Sequence, residues 1–317
     1  MFKFEYCNRE KDLNPGLKNL VSSLSEVVFI LIPFVLISPF SYLIPFIAAY
    51  FTARKLNTSI IPSLFLGSFV FFLTKSTIEK EYIKFFGVLF LKSGFSDILS
   101  IFIGVYIFSI IKSKIKYFAS LISTILTCIC LFFFIFPILR FINKGISFFI
   151  MFILVKLDLF SGFILGLIYP VISALGFCDS FQSVSFLISS FCGDILLPLK
   201  NICLFSQFSA TFISLFKIDK NERKIALICT FSCLLGFSLP AIWCVNLKYL
   251  KPFFASVLGS GVGCFFAIFM SIKSYNNDTD FFHCFLENPE CYSLCFILTF
   301  AFTLLPLLNN KPLIRRY

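Results

Sequence analysis

Four stretches of this 317-residue chain set polar or ionisable side chains inside otherwise apolar sequence. Gly176-Phe177-Cys178-Asp179-Ser180-Phe181-Gln182 places a carboxylate and an amide between two hydrophobic runs. Gly193-Asp194 precedes Ile195-Leu196-Leu197-Pro198, and Ser206-Gln207 is embedded in Leu204 to Ile213. Gly236-Phe237-Ser238-Leu239-Pro240 leads through Trp243 to Asn246. Burying such groups without partners costs several kcal/mol, so their presence asks for a reason. Carboxylates, amides and hydroxyls match the donors and acceptors of a sugar, and an indole ring packs against a sugar's apolar face. Asp179, Gln182, Gln207, Ser238 and Asn246 are therefore candidate substrate contacts, with Trp243 as a packing surface. The competing reading makes such groups caps on helix ends. Capping is preferred for Asp194, and both readings stay open for the others.

The elements that must carry these residues are membrane helices. Apolar residues make up 59% of the chain, charged residues 14%, and 49 positions are Phe. A soluble domain carries charge at roughly a quarter of its positions, and this composition is too poor in charge to cover a globule of this size. Apolar runs of about 17 to 25 residues follow one another between short basic loops, the pattern of serial spans. The runs predict an all-α polytopic membrane protein of roughly eight to ten transmembrane helices. Candidate spans cover 20–37, 40–53, 58–74, 85–111, 117–139, 145–172, 183–212, 225–245, 253–272 and 292–309. Asp194 with Pro198 interrupts the seventh, and Gly236 with Pro240 the eighth. Interrupted spans point to a transporter's binding site, because irregular backbone at membrane depth must be buried in protein or line a cavity. No removable signal peptide is recognisable, so the first span is expected to serve as the insertion signal.

Several other functions are disfavoured. The net charge of +11 resides in loops such as Lys112/Lys114/Lys116 and Lys217 to Lys224. That is the positive-inside bias rather than a nucleic-acid surface. The 13 Cys form no paired C-x-x-C sets, and His283 is the single His, so no metal site is expected and no cofactor. A disulfide between Cys284 and Cys291 has no support. A membrane-embedded transferase would need a carboxylate or His cluster; only the polar stretch 273–291, with Asp278, Asp280, His283, Glu287 and Glu290, offers one. Its acids are scattered, and a solvated connector is the preferred reading.

The order of motifs from Gly162 to Gly263 resembles the C domain of glucose-superfamily phosphotransferase system (PTS) permeases, in the sucrose, trehalose and β-glucoside branch. The family's G-x-L-Y-P is similar to Gly166-Leu167-Ile168-Tyr169-Pro170, and its G-x-H-H-S-F turn to Gly176-Phe177-Cys178-Asp179-Ser180-Phe181. Its P…A-Q-x-x-A helix is similar to Pro198 with Ser206-Gln207-Phe208-Ser209-Ala210, and its K-x-I-A-L to Lys217 through Leu227. Its L-G-x-T-E-P-A-x-F-G-V-N-L-R-Y-x-x-P-F is similar to Leu235 through Phe253, in order and in spacing. Weaker similarity covers Leu43 to Gly67 and Gly94 to Lys116. Two ionisable groups of the family are absent: the first His falls at Cys178, and the acid before Pro, which contacts the phosphate-accepting hydroxyl, falls at Leu239. Asp179, one position from the missing His, is the candidate to supply a carboxylate.

The resemblance implies an EIIC-like fold with re-entrant hairpins, divergent and shortened, without a B domain before the first span. It implies a cytoplasmic tail over 1–19, a dimer-forming scaffold half over 20–145 and a substrate-translocating half over 146–317. It further implies a multi-pass homodimer in the bacterial inner membrane, in contact with lipid, carrying a glucoside or disaccharide. A separate PTS IIB protein, charged by IIA and HPr, would phosphorylate that sugar in a phosphoenolpyruvate-dependent system, and this chain would hold no catalytic residue. A degenerate or repurposed paralogue is the alternative, motivated by Leu239 and Cys178.

Overall fold

The computed structural model describes residues 44–56, 58, 60–68, 83–85, 88–90, 103–110, 125–127, 129, 136–274 and 289–308. The expected span 20–37 and most of 117–139 lie outside them, as does 275–288 of the polar stretch 273–291. In the N-terminal part, α1 (Ile44–Lys55) answers the expected span 40–53, with further helical stretches at 60–68 and 103–110. The span expected over 85–111 does not begin as helix. Ile83–Phe85 (β1) pairs antiparallel with Val88–Phe90 (β2), Ile83 opposite Phe90 and Phe85 opposite Val88. Lys84, among β-branched and aromatic neighbours, suits a short two-strand ribbon.

From residue 136 the chain is a series of helices: α2 (Phe136–Lys156), α3 (Asp158–Ala174), α4 (Asp179–Cys192), α5 (Leu196–Leu215) and α6 (Lys220–Leu234). A composite segment, α7 (239–249), follows. It is α-helical over Leu239–Ala241, π-helical over Ile242–Asn246 and α-helical again over Leu247–Tyr249. Last come α8 (Lys251–Phe269) and α9 (Pro289–Leu307). Among the described residues α5, α8 and α9 are long and apolar enough to cross a membrane, and α3 is a shorter apolar helix.

Three expected spans are each two helices, the run 225–245 being divided between α6 and α7. The run 145–172 breaks between α2 and α3, where Asp158 takes φ 39°; Asp tolerates the left-handed region better than most residues. The run 183–212 breaks at Gly193, φ 79°, two residues upstream of Ile195. Pro198 does not break the chain: it sits in the first turn of α5, where its missing N–H has no helical partner to lose.

The packing is that of a bundle turned inside out. Phe141, Phe148, Val155, Phe160 and Phe216 are exposed, while Ser206, Gln207, Ser209, Thr211, Ser256, Thr299 and Thr303 are buried. In water that distribution would be unstable; in hydrocarbon the exposed Phe and Val cost nothing and the polar groups pair inside. The chain is an all-α membrane protein.

Helix α8 is central, antiparallel to α3, α5 and α9. Gly162 and Gly166 of α3 lie against the backbone of Cys264 and Ser260, so close that a Cβ at either would overlap a carbonyl. On its other side, Gly259 and Gly263 receive Thr303 and Thr299 of α9. Small residues four apart let helix backbones meet, which is how packing replaces hydrophobic drive in lipid. On α5, Leu199, Ile202, Cys203 and Ser206 form the stripe that faces α8.

Candidate functional site

Two turns with the same sequence and the same bonds bring the polar positions together. Leu175-Gly176-Phe177 ends α3 and Leu235-Gly236-Phe237 ends α6. In the first, Phe177 N–H bonds Ile172 O and Gly176 N–H bonds Ser173 O, both at 3.0 Å. In the second, Phe237 N–H bonds Ser232 O at 2.9 Å and Gly236 N–H bonds Cys233 O at 3.0 Å. This is the Schellman closure, with Gly at the left-handed position. The next residue in each turn is Cys178 or Ser238, and both meet Ser173. Ser173 Oγ lies 3.2 Å from Ser238 Oγ, and Cys178 Sγ donates to Ser173 Oγ at 3.3 Å. The position of the family's His and the residue beside the family's acid are thus joined through one serine.

The second cluster is a chain of side chains across α5, α7 and α8. Asn246 Nδ2 donates to Gln207 Oε1 at 2.5 Å, Gln207 Nε2 donates to Ser256 Oγ at 2.9 Å, and Ser256 Oγ donates to Phe253 O at 2.7 Å. Ser206 Oγ bonds the Ser256 carbonyl. All these side chains are buried, and Asn246 Oδ1 has no hydrogen-bond partner among the described residues. Asn246 closes the π-helical turn Ile242–Asn246; such turns bulge the backbone and recur at functional positions. Trp243 is half-buried in the same turn.

Of the predicted contacts, Gln207 and Asn246 touch, and Ser238 joins Ser173 and Cys178. Asp179 and Gln182 occupy the first turn of α4, and their side chains lie outside the described part. Asp194 is a cap, as the local reading preferred: its Oδ1 accepts the N–H groups of Leu196 and Leu197 at 2.8 and 3.2 Å. Its Oδ2 accepts the Ser185 hydroxyl. Its backbone pairs with Ser274 in both directions, at 2.7 and 2.9 Å. Leu239 opens α7, beside Ser238.

Sequence reasoning missed Ser173, Ser256 and Asn201. Asn201 is buried on α5, with neither end of its amide bonded among the described residues. Six residues separate it from Gln207, which at about 100° per residue puts the two roughly 120° apart around the helix. It does not belong to the Gln207 chain. A polar residue inside an apolar run was the signal that marks it.

An ion pair anchors the end of α7 outside the candidate spans. Lys248 Nζ bonds Glu222 Oε1 at 2.9 Å, and Tyr249 OH donates to Glu222 Oε2 at 2.5 Å. Burial pushes Lys248 below its ordinary range, opposed by Cys244 and Asp219. Burial, then Asp219, pushes Tyr249 up. No group of three or more His, Cys, Asp or Glu suited to a metal occurs among the described residues.

With this geometry in place the relatives can be compared. No family model matches the chain, and no solved structure matches it. Curated proteins do. It is 30% identical over 155 residues to the PTS system sucrose-specific EIIBC component of Bacillus subtilis (strain 168), covering 48% of this chain and 34% of that protein. The likeness is to PTS components. The corresponding protein of Staphylococcus xylosus is 31% identical over 119 residues, 36% of this chain and 25% of that one. That of Klebsiella pneumoniae is 29% identical over 140 residues, 43% and 31% respectively. The chain spans at most about a third of the length of these relatives. Partial matches of this kind support an EIIC relationship and a role in PTS sugar transport in general terms.

Proposed function

We propose that this chain is a sugar-translocating IIC subunit of a phosphoenolpyruvate-dependent phosphotransferase system, carrying a glucoside or disaccharide. The observation that carries the reading is the buried pair Gln207–Asn246: two amides predicted as sugar contacts meet in the bundle interior, on an interrupted span. Ser238, Asn246, Gln207, Asp179 and Gln182 are the candidate contacts for the sugar hydroxyls, and Trp243 packs on the ring. Residues 20–145 form the scaffold of a homodimer, and 146–317 move the sugar across the inner membrane. Phosphoryl transfer belongs to a PTS IIB protein fed by IIA and HPr.

A second reading has its own observation. The Leu239 side chain can accept no hydrogen bond, and the Cys178 thiol is a weak donor already directed at Ser173. A degenerate or repurposed paralogue, folded but without transport coupled to phosphorylation, fits those two positions.

Thermal-shift titration of the detergent-solubilised protein against sucrose, trehalose and β-glucosides tests both. A ligand that binds only the folded state raises the melting temperature with concentration. A saturable shift followed by phosphorylation with a IIB domain supports the permease. A shift without phosphorylation, or no shift with any sugar on a protein that melts cooperatively, favours the degenerate or repurposed paralogue.

A further inference from the structure

The donors and acceptors of the Gln207 chain run in one direction, and that direction begins at Ser256. A serine hydroxyl has one proton. Ser256 gives its proton to Phe253 O, its partner at 2.7 Å, which leaves Ser256 Oγ to act towards Gln207 as an acceptor. Gln207 must then turn its NH₂ to Ser256 and its Oε1 to Asn246. Asn246 in turn must present its NH₂ to Gln207, which leaves Oδ1 as the free end. That oxygen is buried and has no hydrogen-bond partner among the described residues. A buried bare acceptor is costly, and a carbonyl oxygen can be satisfied only by a donor.

The geometry points to Ser256 as a positioning residue that fixes the Gln207–Asn246 pair with Asn246 Oδ1 as its unfilled acceptor, so that the bound ligand must offer a hydroxyl donor to that oxygen. This rests on the sugar-binding reading above and sharpens it. Gln207 becomes a relay with both ends of its amide occupied within the protein, and Asn246 becomes the contact. Specificity follows from polarity: a group of similar size that accepts but cannot donate is rejected. Ser206 supports the arrangement by holding the Ser256 carbonyl, which ties the α8 backbone to α5 at this level.

The probes are sucrose and methyl glucosides, each with one hydroxyl at a time replaced by fluorine, titrated against the full chain in detergent. Fluorine accepts weakly and donates nothing. In the wild type one fluorinated position is expected to weaken binding by about tenfold or more, the loss of one buried hydrogen bond. In Ser256→Ala the relay is free to reverse, and the penalty at that same position narrows towards unity while other positions keep theirs. Ser256→Thr keeps the hydroxyl and keeps the penalty. Where Ser256→Ala does not fold, Gln207→Glu and Gln207→Leu divide the same question. The carboxylate still accepts from Asn246 and keeps the penalty; Leu frees the amide and loses it.

Equal tolerance of every fluorinated position by the wild type overturns the inference, as does an unchanged penalty in Ser256→Ala. If no probe binds the wild type, the sugar reading falls, and the relay is decided without ligand. Ser256→Ala and Asn246→Ala then lower the melting temperature sub-additively when combined, because each breaks the same chain; strictly additive shifts overturn it.

Discussion

The Ser260 hydroxyl of α8 lies 2.7 Å from the carbonyl oxygen of Gly166 on α3, and 2.9 Å from that of Val257 in its own helix. A serine reaches the backbone of a neighbouring helix only where nothing stands between them, and Gly166 supplies that gap. The contact repeats one turn away, where Gly162 meets Cys264. The small residues of α3 and α8 therefore set the distance between these helices, and with it the position of the α3 end that presents Ser173.

Gly166→Leu should prevent this approach. The new side chain would overlap the Ser260 carbonyl and Cys264, both held by backbone, so the helices must separate at a cost of at least about 1–3 kcal/mol. Gly145, on the exposed face of α2, has nothing within 4 Å of an added Cβ. Gly145→Ala should stabilise by roughly 0.5–1 kcal/mol through helix propensity alone. Melting in detergent checks the pair: a tolerated Gly166→Leu would refute the close α3–α8 contact.

The repeated turns make a second prediction about backbone. Gly236 has φ 92° and no atom near an added Cβ, so Gly236→Ala pays only for the left-handed conformation, about 1–2 kcal/mol. A third closure of the same kind ends α8. Ser271 N–H bonds Ile268 O at 2.8 Å and Ile272 N–H bonds Ala267 O at 3.0 Å, with Ser271 at φ 53°. There the left-handed position holds Ser, so Ser271→Gly should raise the melting temperature, by about 1 kcal/mol of stability. Opposite signs for the two changes are expected; equal signs would contradict the turn assignment.

Asp194 separates structure from ligand binding. Asp194→Ala removes the cap on α5 and the acceptor of the Ser185 hydroxyl, and should cost about 1–2 kcal/mol. Once folded, the variant should bind sugar with unchanged affinity, because Asp194 serves the start of α5 rather than the Gln207 chain. A weakened sugar affinity at unchanged stability would make Asp194 a ligand contact.

The parts of this architecture legible in the sequence are those with long-range compositional causes. Low charge and serial apolar runs gave the membrane helices, and the polar pair Ser206-Gln207 with the distant Asn246 marked two partners that do meet. Gly193-Asp194 marked a true break. The break at Leu157-Asp158 did carry a mark, the charges of Lys156 and Asp158 inside the run 145–172. With long apolar stretches on both sides and only Leu157 and Asp158 departing from helical backbone, it reads as one span. Ser173 and Ser256 were hidden for another reason: serine in a membrane helix serves equally as a small packing residue or as a hydrogen-bonding one, and the choice depends on which neighbour faces it. The interior of α8 shows both, with Ser260 bonded to a helix backbone and Ser256 to a side-chain chain.

Asn201 offers the sharpest test of whether buried polarity here is structural. Its amide is buried, and neither Nδ2 nor Oδ1 is bonded among the described residues. An unsatisfied amide costs about 1–3 kcal/mol, whereas Leu of similar volume at that site removes the desolvation and keeps the packing. Asn201→Leu should therefore raise the melting temperature of the ligand-free protein. Because Asn201 lies about 120° around α5 from Gln207, outside its hydrogen-bond chain, the variant should leave intact any discrimination between sugars and their fluorinated analogues. If melting falls instead, the amide has a partner in the membrane-embedded protein, such as an ordered water, and its burial is compensated. If melting rises while transport is lost, the amide is kept for a polar species passing on the far side of α5. Its destabilisation of the resting state is then the measure of that selection.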